Sequence, residues 1–579
     1  MIRSVKMIKK FILSVSALTV ASVVLYTTAT AVSGYSVSDL KKLENAVLGK
    51  ERVTAEMDLT GDNMVDSFDL VAMRKNFTSM GEFKETAFTA TEDNVKYTGR
   101  NYYDGKTAWL VQSGSAVEFI VNAKSAEVTI KGDYSVNNDE KYRPRYAVIV
   151  DGEIIFDDIM SEKTKTVKLF EGETSRTADV KIIHLSEANN GTVGVSEIKT
   201  VSDSPVPVVP AEKKDFKIEF IGDSITCAYG VEGKSASDQF TTATENFMKS
   251  YAYLTAEKMG ADYSAVSYSG HGIVSGYSND GNRNTDNLVP PYYRNCGNLS
   301  DYAKPWDFTT DPNDVVVINL GTNDYSYVSK DFDARSQEFV DGYAEFLETV
   351  RECNPDAHII CTMGIMGGQE MYTLIEQAVS DFTEKTGDEK VTAFKSPMQN
   401  MADGYGADYH PSEITQQKNA YILADKICNA IGIESDRIGL DVAENAEYNL
   451  VFDKTTNANA SPYFSEYDKS YWINMVNGGS SDDSIEAVIS GIDLQKNGKY
   501  RLTFNITTTD GEEIPVIIRS SDKSETFFSD TFTGAGEKAP YSAEITVDKN
   551  CDNAEIVLQV GGTDYYNVTL YNLRLEKIG

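Results

Sequence analysis

The segment K-I-E-F-I-G-D-S-I-T-C-A-Y-G, residues 217–230, gives the clearest indication of the fold. Apolar and polar residues alternate over positions 217–221, which predicts a short buried strand that stops at Gly222. Asp223 and Ser224 follow directly, so the pattern places one serine hydroxyl at the carboxyl edge of a sheet. Gly-Asp-Ser alone is weak evidence for catalysis, because these residues are also common in ordinary turns.

Four further apolar, β-branched segments alternate with helical patterns in the region 213–435. They cover residues 265–268, 315–320, 358–363 and 391–394. This alternation is typical of a parallel sheet covered by helices on both faces. We therefore predict a three-layer α/β domain over 213–435, with its chemistry beyond the carboxyl ends of the strands.

The predicted strand ends carry residue types suited to nucleophilic catalysis. A serine needs a base to become a nucleophile, and the oxyanion that it generates needs hydrogen-bond donors. We expect Ser224 to attack and His410 to accept its proton. The expected oxyanion donors are the backbone N–H groups of Ser224 and Gly270 and the side-chain amide of Asn323.

The choice of base is narrow because the chain has only four histidines. His358 opens a predicted strand, and His184 lies in another region, where we interpret it as a packing residue. His271 remains the one serious alternative to His410.

Short alternating runs separated by turns predict β-structure on either side of the α/β domain. Residues 85–203 predict a β-sandwich of jelly-roll type, followed by a linker with Pro205, Pro207 and Pro210. Residues 440–579 predict a second β-sandwich.

The blocks Gly222-Asp223-Ser224, Gly270, Gly321-x-Asn323-Asp324 and His410 resemble those of the SGNH (GDSL) hydrolases. With the preceding jelly roll and the Asp-x-His spacing, residues 85–435 are similar to family 2 of the carbohydrate esterases. This resemblance implies deacetylation of plant polysaccharides such as xylan and glucomannan, without a catalytic metal. It also implies that Asp408 orients His410, although some family members use a dyad in which backbone carbonyls orient the histidine.

The N-terminus and the composition indicate secretion. Residues 1–31 have a basic start, an apolar run over 11–25 and the small-residue site Ala29-Thr30-Ala31, which is typical of a cleaved signal peptide. The net charge of −34 argues against nucleic acid and anionic membranes as partners. The six cysteines have no paired spacing, so we expect mostly free, buried thiols.

A twelve-residue acidic loop, D-L-T-G-D-N-M-V-D-S-F-D, occupies residues 58–69. Oxygen ligands for calcium fall at its positions 1, 3, 5, 7, 9 and 12, which are Asp58, Thr60, Asp62, the carbonyl of Met64, Asp66 and Asp69. The simpler interpretation is a solvated acidic loop.

The acidic loop resembles a dockerin repeat of cellulosomal enzymes. The resemblance implies structural calcium and a cohesin partner on a scaffold protein, contacted by Ser67 and Phe68. The first repeat is truncated to a predicted helix over 39–49, since residues 28–32 contain no acids. We therefore expect a dockerin-like segment over 32–80 that binds one calcium ion.

The C-terminal sandwich, 440–579, looks like a carbohydrate-binding module. Its candidate sugar-stacking residues are Tyr463, Tyr467, Tyr471 and Trp472. The sequence thus favours a secreted, cellulosome-bound acetyl xylan esterase. The alternatives are an SGNH esterase for pectin acetyl or lipid esters, and a sugar-binding component without catalysis.

Overall fold

The computed structural model describes residues 42–43, 45–48, 52–54, 57–59, 64–67, 69–70, 73 and 83–579. The predicted signal segment lies outside the described residues, as do Thr60, Asp62 and Phe68 of the acidic loop. Among the helices of the described ranges, none has the length and apolar character needed to cross a membrane.

The first β-region is one hydrogen-bonded sheet of ten strands. The strands are β1 (Lys84–Phe88), β2 (Lys96–Thr98), β3 (Asn101–Tyr103), β4 (Ala108–Leu110), β5 (Ala116–Gly132), β6 (Arg145–Val150), β7 (Glu153–Ile159), β8 (Thr164–His184), β9 (Val193–Ser202) and β10 (Val208–Pro210). β5 and β8 pair over most of their length, with register shifts near Ala123. Such bulges bend long strands, so one sheet can enclose its own core.

The proline-rich segment after this region is not a free linker. Val208 pairs with Val121 of β5, and Pro210 ends β10. A proline is tolerated there because β10 is a short strand and, among residues 83–579, pairs with β5 alone. The β-region therefore extends beyond residue 203, the end expected from the sequence.

The central region is a parallel sheet of five strands, as the sequence predicts, and the strand order in the structure is β12-β11-β13-β14-β15. The strands are β11 (Lys217–Gly222), β12 (Asp262–Ser267), β13 (Val315–Asn319), β14 (His358–Met363) and β15 (Val391–Lys395). The helices are α1 (Ser224–Cys227), α2 (Tyr251–Met259), α3 (Thr322–Val328), α4 (Phe332–Cys353), α5 (Met371–Thr386) and α6 (Glu413–Ile431).

The continuous apolar run of β13 reflects burial on both faces of the sheet. Val316 and Ile318 share a buried cluster with Phe339 of α4. Val315 and Val317 belong to a second cluster with Leu423 of α6. Because neighbouring side chains of a strand point to opposite faces, a sheet covered on both sides needs apolar residues at every position.

A buried ion pair joins the first β-region to the central sheet. Arg100 and Glu219 are fully buried, and the Arg100 Nη2 lies 2.9 Å from the Glu219 Oε1. The second oxygen of Glu219 accepts a 2.7 Å hydrogen bond from the Tyr293 hydroxyl. Since Glu219 lies in β11, the strand that leads to Ser224, this contact anchors that strand to its neighbouring domain.

The C-terminal region is a β-sandwich of two five-stranded sheets, as predicted. Their orders are β16-β19-β24-β21-β22 and β17-β18-β25-β20-β23. The strands are β16 (Glu447–Phe452), β17 (Asn459–Ser465), β18 (Ser470–Asn477), β19 (Ile485–Leu494), β20 (Lys499–Thr507), β21 (Glu513–Ser520), β22 (Thr526–Thr533), β23 (Ala539–Thr546), β24 (Cys551–Gln559) and β25 (Asn567–Lys577).

The predicted free thiols are confirmed: all six cysteines are unpaired and five of them are buried. The packing role of His184 is also confirmed, because its ring is fully buried and contacts the Leu110 carbonyl at 2.9 Å and the Ser186 hydroxyl at 3.1 Å. Burial lowers the pKa of His184 to about 4.

Candidate active site

Ser224 lies where the central strand β11 gives way to the short helix α1. Asp223 caps this helix, and its Oδ1 accepts the backbone N–H of Ile225 at 3.0 Å. Gly222 is required at the strand end, because a Cβ there would lie 2.0 Å from the Thr226 Oγ1. The tight strand-to-helix turn fixes the Ser224 hydroxyl at the carboxyl edge of the sheet.

His410 reaches Ser224 from the last loop of the central domain. Its Nε2 lies 2.9 Å from the Ser224 Oγ. Burial lowers the pKa of His410 from 6.5 to about 4, so the ring is neutral at pH 7 and can accept the serine proton. The structure thus brings together the two residues that the sequence assigns to nucleophile and base.

The expectation that the Asp408 carboxylate orients His410 is wrong. The Nδ1 of His410 lies 3.2 Å from the backbone carbonyl oxygen of Asp408. The carboxylate accepts hydrogen bonds from the Tyr229 hydroxyl at 3.1 Å and the Phe240 N–H at 3.2 Å. Asp408 has a φ of 50°, and this left-handed backbone presents the carbonyl to the ring while the side chain points elsewhere.

The expected oxyanion donors come from three neighbouring strand ends. Gly270 follows β12 with a φ of 76°, and a Cβ there would meet no atom of the described residues within 4 Å, so this position borders open space. Within residues 83–579, the backbone N–H groups of Ser224 and Gly270 donate to no protein acceptor. They are therefore available for a developing negative charge.

Asn323 begins the first turn after β13. Its side-chain Nδ2 donates to the His271 carbonyl at 2.8 Å and to the Asp223 Oδ2 at 3.2 Å. The contact with His271 fixes the amide plane, and the longer contact with Asp223 occupies the second hydrogen. Burial raises the pKa of Asp223 to about 7.

His271 is not the base. Its Nδ1 contacts the Ser269 carbonyl at 3.0 Å, and its ring packs against Tyr268 with centroids 5.2 Å apart. Its backbone carbonyl, not its imidazole, contributes to the site by holding the Asn323 amide. Of the two candidate bases, the structure therefore favours His410, whose Nε2 contacts the Ser224 Oγ.

Comparisons with known proteins match both the first β-region and the central domain to described families. Residues 220–418 match the model of the GDSL-like Lipase/Acylhydrolase family, and residues 97–210 match that of the carbohydrate esterase 2 N-terminal domain. A solved family two carbohydrate esterase from Clostridium thermocellum, in complex with cellohexaose, is 32% identical with a TM-score of 0.51. The match covers 58% of this chain and 99% of that one.

The chain belongs to carbohydrate esterase family 2.

Two curated relatives are similar in sequence to part of this chain. The cellulase/esterase CelE of Acetivibrio thermocellus is 34% identical over 364 residues, which cover 60% of this chain and 41% of CelE. An acetylxylan esterase/glucomannan deacetylase of Cellvibrio japonicus is 27% identical over 219 residues, which cover 37% of this chain and 58% of that protein. The family 2 chain thus matches about half of each curated relative's length.

Tyr229 is a site residue of this family 2 chain that the sequence patterns did not reveal. Its ring packs against the His410 imidazole at a tilt of 33°, with centroids 4.1 Å apart, and stacks on the Phe240 ring with centroids 3.9 Å apart. It thereby holds the imidazole from one face while its hydroxyl holds the Asp408 carboxylate. Tyr229 lies in the quoted opening stretch, but no local pattern connects it with residue 410.

Asp324 orders the loop that carries Gly270. Its buried carboxylate accepts the backbone N–H groups of Ile273, Val274 and Ser275 at 3.1, 2.8 and 2.9 Å through Oδ1. Burial raises the pKa of Asp324 to about 6 against the effect of these bonds. Its contribution is thus to loop geometry and not to proton transfer at Ser224.

The described part of the acidic loop is closed by its twelfth residue. The fully buried Asp69 accepts the backbone N–H of Leu59 at 2.7 Å through Oδ1 and that of Asp66 at 2.9 Å through Oδ2. Leu43, Leu70 and Met73 form a small core beneath it. Ser67 is exposed, whereas Phe68 lies outside the described residues.

Proposed function

We propose that this chain is a carbohydrate esterase that removes O-acetyl groups from plant polysaccharides, with acetylated xylan and glucomannan as substrates. The 2.9 Å contact between the His410 Nε2 and the Ser224 Oγ carries the proposal. Similarity to the acetylxylan esterase/glucomannan deacetylase of Cellvibrio japonicus supports the substrate class. The net charge of −34 disfavours pectin, which is itself polyanionic.

The reaction proceeds through an acetyl-serine. His410 takes the Ser224 proton while Oγ forms a bond to the acetyl carbonyl carbon, and the carbonyl electrons move to the oxygen. The N–H groups of Ser224 and Gly270 bind this oxyanion, and the Asn323 amide joins them by exchanging its longer contact with Asp223. On collapse the sugar oxygen leaves and receives the proton from His410.

Water completes the cycle. His410 deprotonates a water molecule, whose oxygen attacks the acetyl-serine, and then returns that proton to the Ser224 Oγ. The product leaves as acetic acid, which ionises to acetate in solution. The Asp408 carbonyl accepts a hydrogen bond from Nδ1 throughout, which fixes the ring and stabilises the imidazolium. The residues named here need no metal.

Acetate release tests the proposal. The mature chain should release acetate from acetylated xylan and acetylated glucomannan, and the Ser224→Ala protein should release none above background. Acetylated pectin and a lipid ester serve as competing substrates. Faster turnover of either would replace the proposed substrate, and equal release by Ser224→Ala would remove Ser224 from the mechanism.

We propose further that the protein is secreted and joins a cellulosome through its N-terminal segment. The acidic loop binds one calcium ion, held by Asp58, Thr60, Asp62, the Met64 carbonyl, Asp66 and Asp69, and presents Ser67 and Phe68 to a cohesin. The closure of the loop by Asp69 supports this, because it brings positions 2, 9 and 12 together. Bound calcium would stabilise the loop conformation.

Calorimetry with the mature chain should therefore find one calcium site, and Asp69→Ala should lose it. Chelation should abolish capture by an immobilised cohesin while the acetate release rate stays the same. Two calcium sites, no site, or cohesin capture that survives chelation would contradict this part of the proposal.

A further inference from the structure

Exposed tyrosines lead from the catalytic loop to the C-terminal sandwich. Tyr409, next to the base, is 63% exposed, and its ring lies 5.9 Å from that of Tyr405. Tyr467 lies in the C-terminal sandwich, in the turn between β17 and β18. Tyr467 is itself 61% exposed. Tyrosine side chains therefore lie on both sides of the boundary between the two domains, beside His410.

The sandwich is held firmly at this point. The backbone N–H of Met401, in the segment that leads to His410, donates to the Tyr467 carbonyl at 2.7 Å. Beneath it, the buried Asp403 carboxylate forms ion pairs with Lys418 of α6, at 2.8 Å, and with Arg574 of β25. These contacts fix the β17–β18 turn against the catalytic domain.

The same hairpin carries two more exposed rings. Tyr463 and Trp472 are direct cross-strand neighbours on β17 and β18, and they are 66% and 48% exposed. The Trp472 Nε1 donates to the Ser470 hydroxyl at 2.7 Å, which orients the indole. The expectation that Tyr471 also stacks on sugar is wrong, because alternation along β18 turns it into the core.

We propose that Tyr405, Tyr409, Tyr467, Tyr463 and Trp472 form one aromatic track that binds an uncharged polysaccharide chain beyond its acetylated residue. The proposal rests on the esterase function above. Flat aromatic faces suit the apolar faces of pyranose rings. The chain's net charge of −34 favours an uncharged polymer, and the Met401–Tyr467 contact makes the track continuous with the catalytic cleft.

Polysaccharide binding can be measured independently of catalysis, and it tests the aromatic track directly. In the Ser224→Ala background, affinity electrophoresis in soluble xylan and glucomannan gives a dissociation constant without turnover. The added double change Tyr463→Ala/Trp472→Ala should weaken binding about tenfold, as loss of central aromatic anchors does. Tyr467→Ala should act in the same direction.

Tyr565→Ala is the matched control. Tyr565 is 83% exposed and lies in the loop beside Gly478, at the other end of β18 from the 466–469 turn. Its loss should leave the dissociation constant unchanged. Unchanged binding in the double variant, or equal weakening in the control, would overturn the track. Failure of the esterase function would appear in acetate release instead.

A second, independent observation concerns Glu187, which the first β-region inserts behind the oxyanion loop. Glu187 is 3% exposed, and its Oε2 accepts the backbone N–H of Ser269 at 2.8 Å and the Asn189 Nδ2 at 2.9 Å. Its own backbone N–H donates to the buried Glu245 carboxylate at 3.0 Å. Ser269 immediately precedes Gly270, whose N–H has no acceptor among residues 83–579.

We infer that Glu187 is a positioning residue for the oxyanion site. By fixing the Ser269 peptide it sets the direction of the next N–H group, that of Gly270. The β-region therefore completes the catalytic geometry of the central domain.

Two substitutions test this inference. Glu187→Ala should lower kcat by about tenfold to a hundredfold with little change in KM, as partial loss of an oxyanion donor does. Glu187→Gln retains an acceptor oxygen for Ser269 and should recover kcat to within a few-fold of wild type.

Lys96→Met provides the structural control. It breaks another contact between the same domains, the 2.6 Å pair of Lys96 with Asp262, and should lower the melting temperature without changing kcat. If Glu187→Ala behaves like Lys96→Met, or if Glu187→Gln is as impaired as Glu187→Ala, the positioning role is refuted.

Discussion

Ser224 and His410 meet at 2.9 Å but are positioned by different kinds of structure. Ser224 follows a buried strand that pairs on both sides with β12 and β13. His410 follows a loop in which Asp408 and Tyr409 both have positive φ, 50° and 60°. The sheet thus fixes where the Ser224 side chain lies, whereas the loop also determines which backbone and side-chain atoms of Asp408 face the site.

Although Ser224 and His410 are positioned differently, their substitution should have the same and the largest effect on turnover, because the two residues act as one chemical unit. Ser224→Ala and His410→Ala should each lower kcat by roughly 10⁴-fold or more. Turnover of a short acetyl ester measures this, with circular dichroism to show that the fold persists. Near-native turnover by either folded variant would exclude that residue from the pair.

Asn323→Ala tests a second residue that the sheet positions. The amide follows β13, and loss of one oxyanion donor should lower kcat by about 10²–10³-fold. KM should change little, since the charge develops in the transition state. A loss smaller than tenfold would mean that the amide keeps its contacts with His271 and Asp223 during the reaction.

The pH dependence of activity tests the environment of His410, which the loop positions. Burial lowers the pKa of His410 to about 4, and activity needs the neutral ring, so activity is lost as the pH falls through this value. We expect kcat/KM to be level above about pH 5 and to fall about tenfold per unit in more acidic buffer. Fluorescence at each pH must show an intact fold. A midpoint near the ordinary 6.5 would contradict the burial argument.

The smallest expected effect is that of Asp408→Asn. Asn adopts positive φ readily and keeps the backbone carbonyl that faces His410. We expect a loss of no more than a few-fold, whereas a carboxylate that orients the histidine would give about a 10⁴-fold loss. Steady-state kcat distinguishes the two.

Tyr229→Phe is the companion variant to Asp408→Asn. It removes the hydroxyl that binds the Asp408 carboxylate but keeps the ring that packs against His410. Its kcat should also stay within a few-fold of wild type. A much larger loss in this variant would assign the carboxylate a greater role than its contacts suggest.

The sequence predicted the features that depend on local periodicity. Continuous apolar segments indicated a parallel sheet, and the carboxyl ends of its strands indicated where Ser224, Gly270 and Asn323 meet. Contacts between residues of distant loops produce no periodic pattern in the sequence, so they could not be predicted from it. The direction of the Asp408 carboxylate depends on Tyr229 and Phe240, and the support of Ser269 depends on Glu187, more than 80 positions away in the chain.

The fully buried pair of Arg100 and Glu219 has a consequence for how the molecule unfolds. Removal of one partner from such a pair leaves an uncompensated charge in the interior and costs about 3–5 kcal/mol. If the first β-region separated, Glu219 would remain without its partner in the strand that carries the nucleophile. The two domains should therefore melt in a single cooperative transition, and a central domain expressed alone should fold poorly.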